Sequence, residues 1–151
     1  MRFRPATAED VPVIAALIEA AYERYVERLG RRPAPMDDDH AAYVARGEQF
    51  VLEDRDGVVV GAIVLADRGD HLFVDNLALA PALHGNGLGR RLLEHADAHA
   101  RRRGLLELRL YTNVVMTENQ AIYPRLGYEE VGREVVGIYQ RVLFRKRLPP
   151  R

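Results

Sequence analysis

The sequence predicts an α/β fold: a mixed sheet with helices on both faces. Three observations carry this. Apolar residues recur at helical spacing in two long segments, one near the N-terminus and one past the midpoint. Short β-rich runs bounded by turn residues fill the chain between and after them. An alternating-glycine run, Gly85-Asn86-Gly87-Leu88-Gly89, joins a strand directly to the second helix. The resulting order is β, α, α, β, β, β, α, β, α, β, β, which asks for a sheet covered by helices.

Each element follows from local chemistry. Phe3-Arg4-Pro5 opens as a short strand. Thr7-Ala-Glu-Asp10 reads as a capping-box start, but Pro12 sits awkwardly for a cap at Thr7, so Asp10 competes for that role. Val11, Ile14, Leu17, Ile18, Ala21, Tyr22, Tyr25 and Leu29 then keep helical spacing up to Gly30. Arg31 to Met36 is a proline-stiffened loop, and Asp37-Asp-Asp-His40 starts a second helix to about Arg46. Strands at 49–54 and 58–66 flank the turn pair Asp56-Gly57. A strand from His71 to Leu79 ends before Pro81, which cannot continue a central strand. Leu88, Leu92, Leu93, Ala96 and Ala100 mark a helix running to about Arg103, capped by Gly104. Leu106 to Tyr111 alternates as a half-buried strand. Thr117 begins a helix that closes near Leu126-Gly127, and strands at 128–133 and 138–146 form a final hairpin.

At 151 residues, residues 1–151 are expected to form a single domain. A chain of this size buries roughly 68–70% of its unfolded surface, enough for a core without staples. Twenty-two basic residues balance 22 acidic ones, which argues against a nucleic-acid binder. With no cysteine there is no disulfide, no thiolate chemistry and no zinc–cysteine site. His95 and His99 stand four apart but lack a third ligand, so no metal is expected. No apolar run reaches the ~20 residues that span a bilayer, and the N-terminus does not read as a signal peptide. The expectation is a cytoplasmic protein with neither membrane nor nucleic acid as partner.

The glycine run is the strongest chemical feature. Bare backbone amides at a helix N-terminus, aided by the helix dipole, bind a phosphate, and glycine lets the anion approach closely. Two rival readings fit less well. A Walker loop needs Lys-Ser/Thr after its last glycine, whereas Arg90-Arg91 follow here. A dinucleotide fingerprint needs G-x-G-x-x-G inside a βαβ unit, whereas this run is G-x-G-x-G after an antiparallel hairpin. A plain strand-to-helix turn is the bland alternative.

The later segment Asn119-Gln-Ala-Ile-Tyr123-Pro-Arg-Leu126-Gly127-Tyr128 changes that weighing. Together with Asn76-Leu77-Ala78-Leu79-Ala80-Pro81 and the glycine run, it resembles the GNAT superfamily of acetyl-CoA-dependent N-acetyltransferases. The resemblance covers nearly the whole chain, with three motifs in the family's order and spacing. It implies a mostly antiparallel central sheet, splayed between strands 4 and 5 to admit acetyl-CoA. The backbone of Leu77, Ala78 and Leu79 is then expected to bond the pantetheine arm, through strand-edge groups otherwise unpaired. His84, Gly85, Asn86, Gly87, Leu88, Gly89 and Arg90 are expected to wrap the pyrophosphate. His84 departs from the family's usual Gln or Arg, so cofactor affinity is expected to weaken above neutral pH. Arg91 is as readily a solvated helix residue as a second positive charge.

The resemblance also assigns Asn119 to the pantetheine arm and Tyr123 to the leaving thiolate, as its proton donor. Without that motif, Asn119 is a helix-start residue and Tyr123 a packed aromatic. Asp75 is the candidate general base, although an ordinary aspartate near pKa ~3.9 is a poor base at neutral pH. Glu118 is a lesser candidate. Tyr111 and Thr112 stand where some relatives place Glu. With no cysteine, direct attack by the amine in a ternary complex is expected, without an acetyl-enzyme. The acceptor, a small-molecule or protein amine, is expected beside Tyr22, Tyr25, Arg32, Met36 and Asp39. Asp37-Asp38-Asp39 would attract a cation, but acids at a helix start also simply stabilise it. Arg31, Arg32 and Arg133 would equally select a carboxylate. A non-catalytic acyl-CoA sensor, or an interaction module on the same fold, is the alternative function. Family members are often dimers, so a homodimer is compatible with the resemblance.

Overall fold

The computed structural model describes residues 1–85 and 87–150. Seven strands are linked by hydrogen bonding in the order β1-β2-β3-β4-β5-β7-β6. They are β1 (Arg2–Pro5), β2 (Gln49–Glu53), β3 (Val59–Asp67), β4 (Leu72–Leu79), β5 (Glu107–Asn113), β6 (Glu129–Val136) and β7 (Tyr139–Arg147). The helices are α1 (Val11–Leu29), α2 (His40–Ala45), α3 (Leu88–Arg102) and α4 (Thr117–Ile122). The sheet is mostly antiparallel, and β4–β5 is its parallel pair. That ladder is registered at Leu72↔Leu108 and Phe73↔Arg109, while the whole of β5, Glu107–Asn113, is registered with β7 on its other edge. This is the mixed sheet the sequence predicts, with the pairing of strands 4 and 5 confined to their first residues.

The chain divides into two compact units, Met1–Leu65 with Asn76–His95, and Ala66–Asp75 with the chain from Ala96 onward. In the first, Ile14, Leu17, Ile18 and Ala21 form the apolar stripe of α1 and pack with Val51, Ala62 and Ala78. Asp10 is the residue before α1, yet its carboxylate does not cap the helix. It accepts instead from Arg4 Nη1 at 2.8 Å and from the Thr7 backbone N–H at 2.7 Å. The Arg4 guanidinium holds that carboxyl down at about 2. Thr7 thus leads a short 3-10 turn (Ala8–Asp10), and both residues nominated for the helix start are used. Gly61 on β3 lies under α3: a Cβ there would sit 3.1 Å from Leu92 Cδ1 and 3.2 Å from Leu79 Cδ2.

Between α1 and α2, residues Ala34–Asp37 form a second 3-10 turn, so α2 starts three residues later than the acidic run suggests. In the second unit, β5 and β6 both pair antiparallel with β7. The last hairpin is longer than predicted: Val136↔Tyr139 closes it around a two-residue turn, Gly137-Ile138, and β6 runs to Val136. Among the described residues, no helix is long and apolar enough to cross a membrane.

Candidate active site

In the first unit, β4 buries alternate residues, with Asn76 and Ala78 inside and Leu77 and Leu79 half-exposed. Asn76 has φ +49, a left-handed conformation inside a strand. Its side-chain amide donates to Asp38 Oδ2 at 2.8 Å, and the next carbonyl, Leu77 O, accepts from the Tyr22 hydroxyl at 3.0 Å. Beyond the strand, Gly85 and Gly87 have φ +86 and +75, and a Cβ on either would meet nothing within 4 Å. The loop is therefore a turn of left-handed glycines with open space beside it. Gly89 is different: its φ is ordinary, and its Cα faces the Leu79 side chain. Leu88 is buried and anchors the first turn of α3, so only its backbone can reach a ligand. Arg90 and Arg91 are exposed and form no ion pair among the described residues. Left-handed glycines, a helix start and two cations unbalanced among the described residues are features that favour an anion. Asn86 lies outside the described residues.

His84 folds back from this loop. Its Nε2 is 3.2 Å from Leu79 O, and since a carbonyl accepts, that nitrogen carries a proton. Both the neutral and the charged ring supply such an N–H. The contact itself gives no reason for the pH dependence expected of His84.

The proposed acceptor residues are mostly occupied with structure. Tyr25 is 4% exposed, with Arg24 and Arg28 over its ring at 4.9 and 5.3 Å. Arg32 bridges Glu19 and Asp37, pinning the loop to α1. Met36 packs on the α1 core. Asp39 caps α2, accepting from Ala42 N at 3.1 Å. Among them, Tyr22 reaches β4 through its hydroxyl. Sequence reading took Asp38 only as part of the acidic run and passed over Tyr43, whose hydroxyl also donates to Asp38 Oδ2, at 3.2 Å. A contact across 38 residues has no local signal in sequence.

In the second unit, Asn119 lies in the first turn of α4, and its Nδ2 donates to Thr112 Oγ1 at 3.4 Å. Pro124 has no N–H to give, so α4 ends at Ile122 and Tyr123–Leu126 tighten into a 3-10 turn. Tyr123 stands at that change of pitch, 6% exposed, with ring centroids 5.8 Å from Tyr128 and 5.3 Å from Phe144. Behind it, Lys146 Nζ donates to Asp97 Oδ2 at 2.6 Å and lies 5.7 Å from the Tyr128 ring centre. The Tyr128 hydroxyl has no hydrogen-bond partner among the described residues, and burial drives its acidity well below that of an ordinary phenol. Asp75 is half-buried on β4, two residues beyond Phe73, whose ring meets Tyr111 edge-on at 5.6 Å. Glu118 occupies the first turn of α4. Among the described residues no group of three or more His, Cys, Asp or Glu could hold a metal.

Known proteins are similar to this chain in sequence and fold. The chain is 35% identical over 86 residues to the IAA acetyltransferase of Azospirillum brasilense, covering 56% of this chain and 56% of that protein. The match thus spans just over half of that relative. The uncharacterized N-acetyltransferase YjgM of Escherichia coli K12 is 27% identical over 136 residues, 85% of this chain and 81% of that one. Among solved structures, a GNAT-family acetyltransferase of Streptococcus agalactiae has a TM-score of 0.79 at 17% identity, covering 99% of this chain and 96% of that one. The PaiA N-acetyltransferase of Thermoplasma acidophilum, solved in complex with coenzyme A, has a TM-score of 0.74 at 16% identity, covering 97% and 98%. At those identities the structures speak for the fold alone. The family model described as acetyltransferase (GNAT) matches residues 14–128, and the chain belongs to that family of acyltransferases.

Proposed function

We propose that this chain transfers an acetyl group from acetyl-CoA to a primary amine by direct attack in a ternary complex, as one domain working in the cytoplasm. The observation that carries the reading is the open loop of left-handed glycines leading into α3, with Arg90 and Arg91 unbalanced beside it. Such a loop suits the pyrophosphate of a coenzyme A molecule, and the coenzyme A complex of the similar PaiA structure supports that donor. In this reading Gly85, Gly87, Leu88, Gly89 and Arg90 hold the phosphates with amides and charge, and Asn86 and His84 belong to the same loop. The backbone of Leu77, Ala78 and Leu79 and the amide of Asn119 hold the pantetheine arm. The bound donor supplies an activated thioester carbonyl. Asp75 draws the proton from the amine, directly or through water, and Tyr123 returns one to the departing thiolate.

The acceptor is a small-molecule or protein amine. A second reading, a non-catalytic acyl-CoA sensor, draws on the close packing of Tyr123 among aromatic rings. A thermal melt with acetyl-CoA tests the donor first. At 100-fold above Kd, binding adds about 2.7 kcal/mol, expected to raise Tm by roughly 5–10 °C. No shift at millimolar acetyl-CoA overturns the reading. Tyr123→Phe then separates enzyme from sensor: turnover is expected to fall about 10²–10⁴-fold with acetyl-CoA affinity nearly intact. Unchanged turnover in thiol release removes Tyr123 from the chemistry.

A further inference from the structure

We propose that Asp38 is a positioning residue whose carboxylate clasps the left-handed kink at Asn76, holding the Asn76–Leu77 stretch of β4 in the form that receives the donor's arm. The proposal rests on the acetyl-CoA reading above.

The kink is costly on its own. Asn76 is 5% exposed, lies within β4 and has φ +49, where only glycine sits freely and asparagine is among the few others tolerated. Such a conformation persists only where its surroundings over-determine it. Here they do. The Asn76 amide donates to Asp38 Oδ2 at 2.8 Å, and the Tyr43 hydroxyl donates to the same oxygen at 3.2 Å. One residue further on, the Tyr22 hydroxyl holds Leu77 O at 3.0 Å. Two segments therefore reach two consecutive residues of β4, α1 through Tyr22 and the following loop through Asp38, while α2 braces Asp38 through Tyr43.

Asp38 is suited to this by its neighbours. Asp37 is paired with Arg32, and Asp39 caps α2. The 3-10 turn before Asp38 and the helix after it leave it little freedom, and its side chain is the one of the three directed to β4. The peptide units after Asn76 are those assigned to the pantetheine arm. A kink that relaxed would turn their N–H and C=O groups away from that task. The acidic run thus acts on the donor strand as a hydrogen-bond acceptor, with no ligand of its own.

Isothermal titration of acetyl-CoA, with circular dichroism as the check on folding, tests this in four proteins. Asp38→Ala is expected to weaken binding about tenfold, the effect of losing a hydrogen bond to a charged group. Asp38→Asn keeps an oxygen that accepts from Asn76 and Tyr43, and is expected to stay within about threefold of wild type. Adding Asn76→Gly to Asp38→Ala is expected to regain most of the loss, because glycine takes the left-handed conformation without a clasp. An Asp38→Asn as weak as Asp38→Ala makes charge the working property and overturns the proposal. A double variant as weak as Asp38→Ala overturns it too, as does an Asp38→Ala that binds like wild type. Should Asp38→Ala not fold, folding restored by Asn76→Gly supports the clasp, and failure to restore it overturns it. A wild type that binds no acetyl-CoA overturns the donor reading and this proposal with it. A binding wild type with any contrary variant result overturns this proposal alone.

Discussion

Two loops of the first unit solve opposite problems. The loop from Arg31 to Asp39 is tied to itself and its neighbours: Arg32 bridges Glu19 and Asp37, Asp38 holds Asn76, and Asp39 caps α2. The loop from His84 to Gly87 has left-handed glycines with open space beside them, and the arginines that follow it pair with nothing among the described residues. The first loop satisfies its polar groups internally and so has a fixed form. The second leaves the charge of Arg90 and Arg91 unbalanced among the described residues, which favours an anion. Charge and exposure alone therefore do not distinguish the two loops; whether the charge is balanced does.

Four experiments break or sharpen that contrast. The largest effect is expected in the glycine loop. Gly87→Val puts a β-branched residue at φ +75, at a cost of about 1–3 kcal/mol, and places a side chain where the anion approaches. Acetyl-CoA affinity should fall about 10²-fold; unchanged affinity by titration would mean the ligand lies elsewhere. Next come Arg90→Ala and Arg91→Ala. Each should weaken acetyl-CoA binding about 2- to 5-fold at low salt, with the loss fading above 0.5 M as screening shortens to a few ångströms. Loss independent of salt would point to packing rather than charge.

In the tied loop, Asp39→Ala should lower stability by about 1 kcal/mol through loss of the α2 cap and leave cofactor affinity where it was. A change in affinity, with stability held, would make Asp39 an acceptor or donor contact after all. The last experiment concerns pH. Arg4 lowers the Asp10 carboxyl to about 2, from an ordinary value of 3.8. A depressed carboxyl stabilises the fold fully above its unfolded value, and that stability is lost as pH falls from about 4 towards 2. Asp10→Asn should flatten this part of the stability profile. An unaltered acid limb in urea melts would remove the Arg4–Asp10 pair from the account.

The sequence made the fold legible where the signal is local. The Asp56-Gly57 turn, the α1 stripe, and the glycine run before Leu88 all have the structure that their spacing asks for. Pro124 was visible too, although its consequence, a change of helical pitch at Tyr123, takes a hydrogen-bond count to see. The family was legible by motif, but the surroundings of the candidate site residues were not. Arg28 stands three residues after Tyr25, a helical spacing that sets it over the ring, but nothing near Asn76 says that it is left-handed. That conformation depends on side chains meeting after the chain has folded. The acidic run shows the same limit: three adjacent aspartates have three different partners, and only geometry distinguishes them.

Gly61 leaves a last consequence. Its missing methyl is a shim of zero thickness between β3 and the helix that begins at the glycine loop. Any side chain there must press on Leu92 and Leu79, at 3.1 and 3.2 Å, and Leu92 belongs to the second turn of that helix. The placing of that helix, and of the glycine loop at its start, is thereby set from behind. A Gly61→Ala chain would act as a gauge, reporting in acetyl-CoA affinity how many tenths of an ångström the site can spare.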